Sequence, residues 1–201
     1  MFAYYKLGFI LTLCLSLTLG CSSESQKIQL TQDSVILAFG DSLTRGTGAG
    51  LADSYPNNLQ EILGLTVLNE GVPGETSGKG FERLETLLAS TSPDLVILCH
   101  GGNDILKRLP LDNLENNLAQ MIELIQSHDA QVILLGVPKP SIILSALPLY
   151  EKLANEYTLV SDLTSLSNLL EQPSMKSDRV HLNANGYRKL AVNIATKIEV
   201  I

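Results

Sequence analysis

The chain reads as an α/β protein: a three-layer α/β/α sandwich around a central parallel sheet. Two observations predict it. Short runs of branched and apolar residues alternate along the sequence with segments whose apolar residues keep a helical period, the pattern of a parallel sheet covered by helices. Three of those runs also open into glycine-bearing loops at residues 40–50, 71–74 and 101–104. With 201 residues, 45% of them hydrophobic, and no internal repeat, one domain with one core is expected.

The elements follow in order. Residues 1–20 read as a signal peptide, with Lys6 as its positive head and an apolar stretch over 7–19 that is short for a membrane span. Residues 21–33 are polar and without period, and read as a tether to a domain spanning 34–201. Val35, Ile36, Leu37, Ala38 and Phe39 form the first buried strand, which Gly40 and Asp41 end, leaving Ser42 at its carboxyl edge. A short helix is expected over 55–63, a strand over 66–68, and a helix over 75–88 carrying Phe81, Leu84, Leu87 and Leu88. The third strand, 94–100, is the most apolar and is placed at the centre of the sheet. Leu114, Leu118, Met121, Ile122 and Ile125 share one helical face, with Asp112 and Glu115 proposed as its N-terminal cap. A fourth strand over 132–137, a helix over 149–157, a weak fifth strand at Leu159 and Val160, and a last helix with Tyr187, Leu190, Ala191, Ile194 and Ile198 on one stripe complete the chain.

Composition excludes some functions. The formal net charge is −7 and no basic run occurs, which argues against a nucleic-acid partner. Of three cysteines, Cys14 lies in the signal segment, Cys21 at its end, and Cys99 alone in an apolar strand, where a small buried hydrophobe is expected.

Ligands of open α/β sheets bind outside the carboxyl ends of the strands, which is where Ser42 sits. A nucleophilic serine needs a base, and that base needs an acceptor on its other ring nitrogen. Among the three histidines, His128 lies in a polar turn, and His100 ends a buried strand as a hydrogen-bonded core histidine would. His181 has Asp178 three residues upstream, close enough on a turn to orient it.

Four blocks, Gly40-Asp41-Ser42-Leu43, Gly74, Gly101-Gly102-Asn103-Asp104 and Asp178-Arg179-Val180-His181, together resemble the SGNH (GDSL) hydrolases, in the same order and across the whole domain. The resemblance implies a flavodoxin-like sandwich that cleaves esters, thioesters or acetyl groups through an acyl-enzyme, without metal or cofactor. It makes Ser42 the nucleophile, His181 the general base and then acid, and Asp178 its orienting carboxylate. The oxyanion would be held by the N–H groups of Ser42 and Gly74 and the side-chain amide of Asn103. Gly74 is preferred to Gly71 because Gly-Glu-Thr-Ser is nearer the family's Gly-Asp-Thr-Ser. The segment before Cys21 likewise resembles a bacterial lipobox, with Thr18 where Leu is usual, which implies a lipid on Cys21, export, and attachment to the cell envelope facing the periplasm.

A metallophosphoesterase would need an opening Asp-x-His and a His in the third loop, and this chain has neither. A non-catalytic lipoprotein would have no need of Ser, Asn, Asp and His at all four places. The apolar segments 105–111 and 142–149, and the absence of tryptophan, point to an acyl chain as substrate rather than a sugar. Ile105, Leu106 and Leu109 are therefore expected to line the substrate pocket, in the arylesterase, acyl-thioesterase and lysophospholipase branch. A carbohydrate O-deacetylase is the alternative. A monomer acting on a small-molecule or lipid ester is expected.

Overall fold

The computed structural model describes residues 27–140 and 144–201; the signal segment, Cys21, Ile142 and Ile143 lie outside them. Five parallel strands make the main sheet: β2 (Val35–Gly40), β3 (Thr66–Gly71), β4 (Leu95–Cys99), β5 (Gln131–Leu135) and β6 (Val160–Asp162), in the order β3-β2-β4-β5-β6. The third predicted strand is central, as expected. Every residue of β4 is buried because helices cover both faces.

Parallel crossovers are right-handed, so the direction in which the chain moves across the sheet decides which face each helix covers. From β2 the chain steps outward to β3 through α2 (Tyr55–Leu63), then reverses past β2 to β4 through α3 (Ser77–Thr91). α5 (Leu111–Ser127) and α6 (Pro148–Glu156) continue in the second direction and pack in series with α3. α7 (Ser165–Glu171) and α8 (Ala184–Ala195) return to the first face, where α2 and α7 both lie against α8. The buried face of α5 is the predicted stripe of Leu114, Leu118, Met121, Ile122 and Ile125.

The reversal places a crevice between the carboxyl ends of β2 and β4, where the crossovers leave in opposite directions. Gly40 closes β2 against its neighbour there. A Cβ on it would lie 2.1 Å from the Cys99 carbonyl oxygen and 2.4 Å from Thr44 Oγ1, so no larger residue fits before Ser42.

Three expectations are corrected. Residues 28–30 belong to the fold rather than to a tether: β1 (Ile28–Leu30) pairs in parallel with β7 (Ile198–Val200), and Ile28 and Leu30 are buried. Ile198 accordingly starts a strand instead of extending the last helical stripe, because α8 ends at Ala195. Asp112 and Glu115 do not cap α5, whose cap position is Pro110 with no side-chain hydrogen bond; Asp112 lies one residue inside the helix.

Candidate active site

Ser42 opens α1 (Ser42–Arg45), immediately after Asp41. Asp41 caps that helix, its Oδ1 accepting from the Leu43 N–H at 3.0 Å. Its Oδ2 accepts from Asn103 Nδ2 at 3.1 Å, joining the loop after β2 to the loop after β4. Burial pushes the Asp41 carboxyl above its ordinary range, opposed by His100, the Leu43 N–H, His181 and Asn103. As the first residue of a helix, Ser42 has a backbone N–H with no acceptor inside that helix.

Asp178 and His181 approach from the segment before α8. His181 Nε2 lies 3.0 Å from Ser42 Oγ, and its Nδ1 lies 2.8 Å from Asp178 Oδ2. With the Nδ1 proton directed at the carboxylate, Nε2 is the acceptor for the serine hydroxyl. Asp178 Oδ1 also accepts from the N–H groups of Val180 at 2.8 Å and His181 at 2.9 Å, which shapes the turn that sequence spacing had implied. Partial burial alone would raise the Asp178 carboxyl; those N–H groups and the imidazole outweigh it and hold it below the ordinary range.

Gly74 lies in the loop between β3 and α3 (φ +81°), and its carbonyl oxygen takes a hydrogen bond from Lys107 Nζ at 3.0 Å. Among the described residues no hydrogen bond uses the Gly74 N–H. A second tie joins this loop to the next: Ser77 donates from its N–H at 2.8 Å and its hydroxyl at 2.7 Å to buried Asp104.

Ser42, Asn103 and His181 open onto a groove walled by Leu43, Leu106, Val137, Pro138, Pro140, Leu144 and Leu170, with Arg179 and Val180 at its side. The structure takes only one of the three predicted lining residues. Residues 102–106 form a short helix, α4 (Gly102–Leu106), not a loop, so consecutive side chains point apart. Leu106 faces the groove while Ile105 packs on the core, and Leu109 lies past a turn at Arg108 (φ +55°), outside the wall and 40% exposed. Sequence reasoning missed Val137, Pro138 and Leu170. The first two end the fourth predicted strand, so position at a strand's carboxyl end could have found them. Leu170 lies on α7, a seven-residue helix whose Leu166, Leu169 and Leu170 keep a helical period over less than two turns.

The geometry fits a family. A family model for the GDSL-like lipases and acylhydrolases matches residues 38–189. The chain belongs to that family. An arylesterase of Vibrio mimicus is 34% identical over 139 residues, covering 67% of this chain and 64% of its own length. Thioesterase 1/protease 1/lysophospholipase L1 of Escherichia coli is 26% identical over 82% of this chain and 83% of its own. The crystal structure of TesA superposes with a TM-score of 0.73 at 26% identity, over 82% of this chain and 97% of that one. The α/β/α sandwich expected from sequence is thus the fold of GDSL relatives. His128, by contrast, lies far from the groove beside Glu85, and Cys99 is buried with its thiol pushed well above the ordinary range by burial. Among the described residues no cluster of three or more His, Cys, Asp or Glu side chains could hold a metal, and no helix is long and apolar enough to cross a membrane.

Proposed function

We propose that the protein is a serine esterase that cleaves carboxylic esters of medium-length acyl chains through an acyl-enzyme, with thioesters and lysophospholipids as related substrates. The observation that carries this reading is the line from Ser42 Oγ to His181 at 3.0 Å and from His181 to Asp178 at 2.8 Å, beside an apolar groove.

The hydroxyl of Ser42 attacks the ester carbonyl carbon as its proton passes to His181 Nε2. The carbonyl π electrons move to oxygen, giving a tetrahedral oxyanion, and Asp178 stabilises the imidazolium. The N–H groups of Ser42 and Gly74 and the Asn103 amide are the donors for that oxyanion, each worth about 3–4 kcal/mol by analogy with known acyl-transfer sites. Collapse expels the alcohol or thiol, which takes the proton from His181. A water molecule then gives its proton to His181 and attacks the acyl carbon, and collapse returns the proton to Ser42 and releases the acid. No step calls for a metal or cofactor.

Among the described residues the groove wall is mostly apolar and carries no Phe, Tyr or Trp on which a sugar could stack, which favours an acyl chain over a carbohydrate acetate. Export as a monomeric envelope lipoprotein, anchored through Cys21, is part of the same proposal. It rests on the lipobox resemblance, and Cys21→Ser should move the protein from the membrane fraction to the soluble one. For the chemistry, p-nitrophenyl esters from acetate to palmitate should be hydrolysed by the wild type, best at medium length, and by neither Ser42→Ala nor His181→Ala. Activity surviving in both variants contradicts the mechanism; a preference for acetate, with turnover of acetylated xylan, turns the assignment to the deacetylase.

A further inference from the structure

Behind the groove lies a polar cluster that the ester chemistry does not touch. His100 is fully buried at the end of β4. Its backbone oxygen accepts from the Tyr150 hydroxyl at 2.8 Å, and its Nδ1 accepts from the Gly101 N–H at 3.2 Å. The ring proton therefore sits on Nε2, 3.1 Å from Glu75 Oε2. The same carboxylate takes Arg83 from Nε at 2.8 and 3.1 Å and from Nη2 at 2.8 Å. Arg83 Nη2 also donates to the carbonyl oxygens of Glu70 at 2.8 Å and Gly40 at 3.3 Å, and its guanidinium lies 4.2 Å from the centre of the Phe39 ring. On α3 the position facing the imidazole is Gly80, where a Cβ would come within 2.4 Å of Nε2.

A partly buried charged cluster is a poor source of stability, since well-packed apolar residues hold a fold as well or better. What this one supplies is registration. Glu75 directly follows Gly74, His100 precedes Asn103 by three residues, and Gly40, which Arg83 holds, precedes Ser42 by two. Each of the three candidate oxyanion donors thus lies within three residues of a group that the cluster fixes.

We infer that His100 is a positioning residue, whose Nε2–H bond to Glu75 sets the separation of the Gly74 N–H from the Asn103 amide. The inference rests on the proposed esterase chemistry. Ser77 and Asp104 tie the same two loops further along, so losing His100 leaves the loops joined and shifts the donors.

His100→Leu keeps the bulk and removes the donor. Its kcat, per site titrated with a fluorophosphonate, should fall roughly 30- to 100-fold, the scale of a misplacement near 1 Å. KM should stay within about threefold, because the donors act on the transition state. His100→Gln, whose Nε2 can reach Glu75, should recover most of the loss. A merely structural role would lower the titratable fraction and the melting temperature and leave kcat per titrated site intact. The inference is overturned if His100→Leu stays within about twofold of the wild-type kcat per site, or if His100→Gln is no better than His100→Leu. Should His100→Leu not fold, His100→Met, which also lacks the ring donor, decides by the same kcat and KM criteria. Ser42→Ala is assayed alongside: activity surviving there overturns the esterase reading, whereas its loss with an unchanged His100→Leu overturns the positioning role alone.

Discussion

Glu75 is the residue at which stability and site geometry meet. Burial alone would raise its carboxyl, but hydrogen bonds from His100 and Arg83, and the charge of Arg83, hold it below the ordinary 4.5. A carboxylate whose folded value is depressed stabilises the fold above its unfolded value and loses that contribution as pH falls through the folded one. Wild type should therefore lose melting temperature below pH ~4.5 more steeply than Glu75→Gln. The variant should be the less stable at pH 7, with the two curves converging in acid, and differential scanning calorimetry across that range checks it. Parallel curves would mean that Glu75 titrates alike in both states. At this scale the sequence was informative where chemistry is local: Asp178 and His181 lie three residues apart and share one turn. It was silent where partners come from distant segments. His100 was readable as a core histidine, but Glu75 lies 25 residues away on another loop and nothing in either neighbourhood announces the pair.

Among the elements, α4 decides which apolar residues of segment 105–111 line the groove. Because it is helical, Leu106 reaches the groove while Ile105 does not, and the turn at Arg108 carries Leu109 away from it. Each methylene buried is worth about 0.8 kcal/mol, or roughly fourfold in kcat/KM, until the groove is full. Leu106→Ser should flatten that dependence on p-nitrophenyl ester length and leave acetate nearly unchanged, whereas Leu109→Ser should leave the whole series as it is. An equal loss at all lengths in Leu106→Ser would make α4 a brace for Asn103 only. The short strands β1 and β7 show why element boundaries escape a sequence reading. Three-residue strands carry too few alternations to register, and their pairing joins opposite ends of the described chain. Leu30 is only 2% exposed, so Leu30→Ala should cost about 2–3 kcal/mol and lower the melting temperature by roughly 5–10 °C. A change under about 1 °C would show β1 to be dispensable and restore the tether boundary.

For the molecule as a whole, the reversal of strand order between β2 and β4 does the assembling. It sets the loops bearing Ser42 and Asn103 side by side and leaves the segment before α8 to bring His181 over them. Four of the five main strands were legible because each holds a run of apolar residues ended by a turn former, whereas β6, Val160–Asp162, has a single apolar residue and registered only weakly. The groove was only partly so, since its wall is drawn from α4, α7 and the segment after β5, and convergence of distant elements has no local signature. Everything proposed for this site depends on one nucleophile, Ser42, activated by one base, His181. Treating the protein with a fluorophosphonate and mapping the adduct by peptide mass spectrometry tests this most directly. A single adduct on Ser42, formed in step with loss of esterase activity and much slower in His181→Ala, is the predicted result; an adduct on another residue, or full inactivation with Ser42 unmodified, would contradict it.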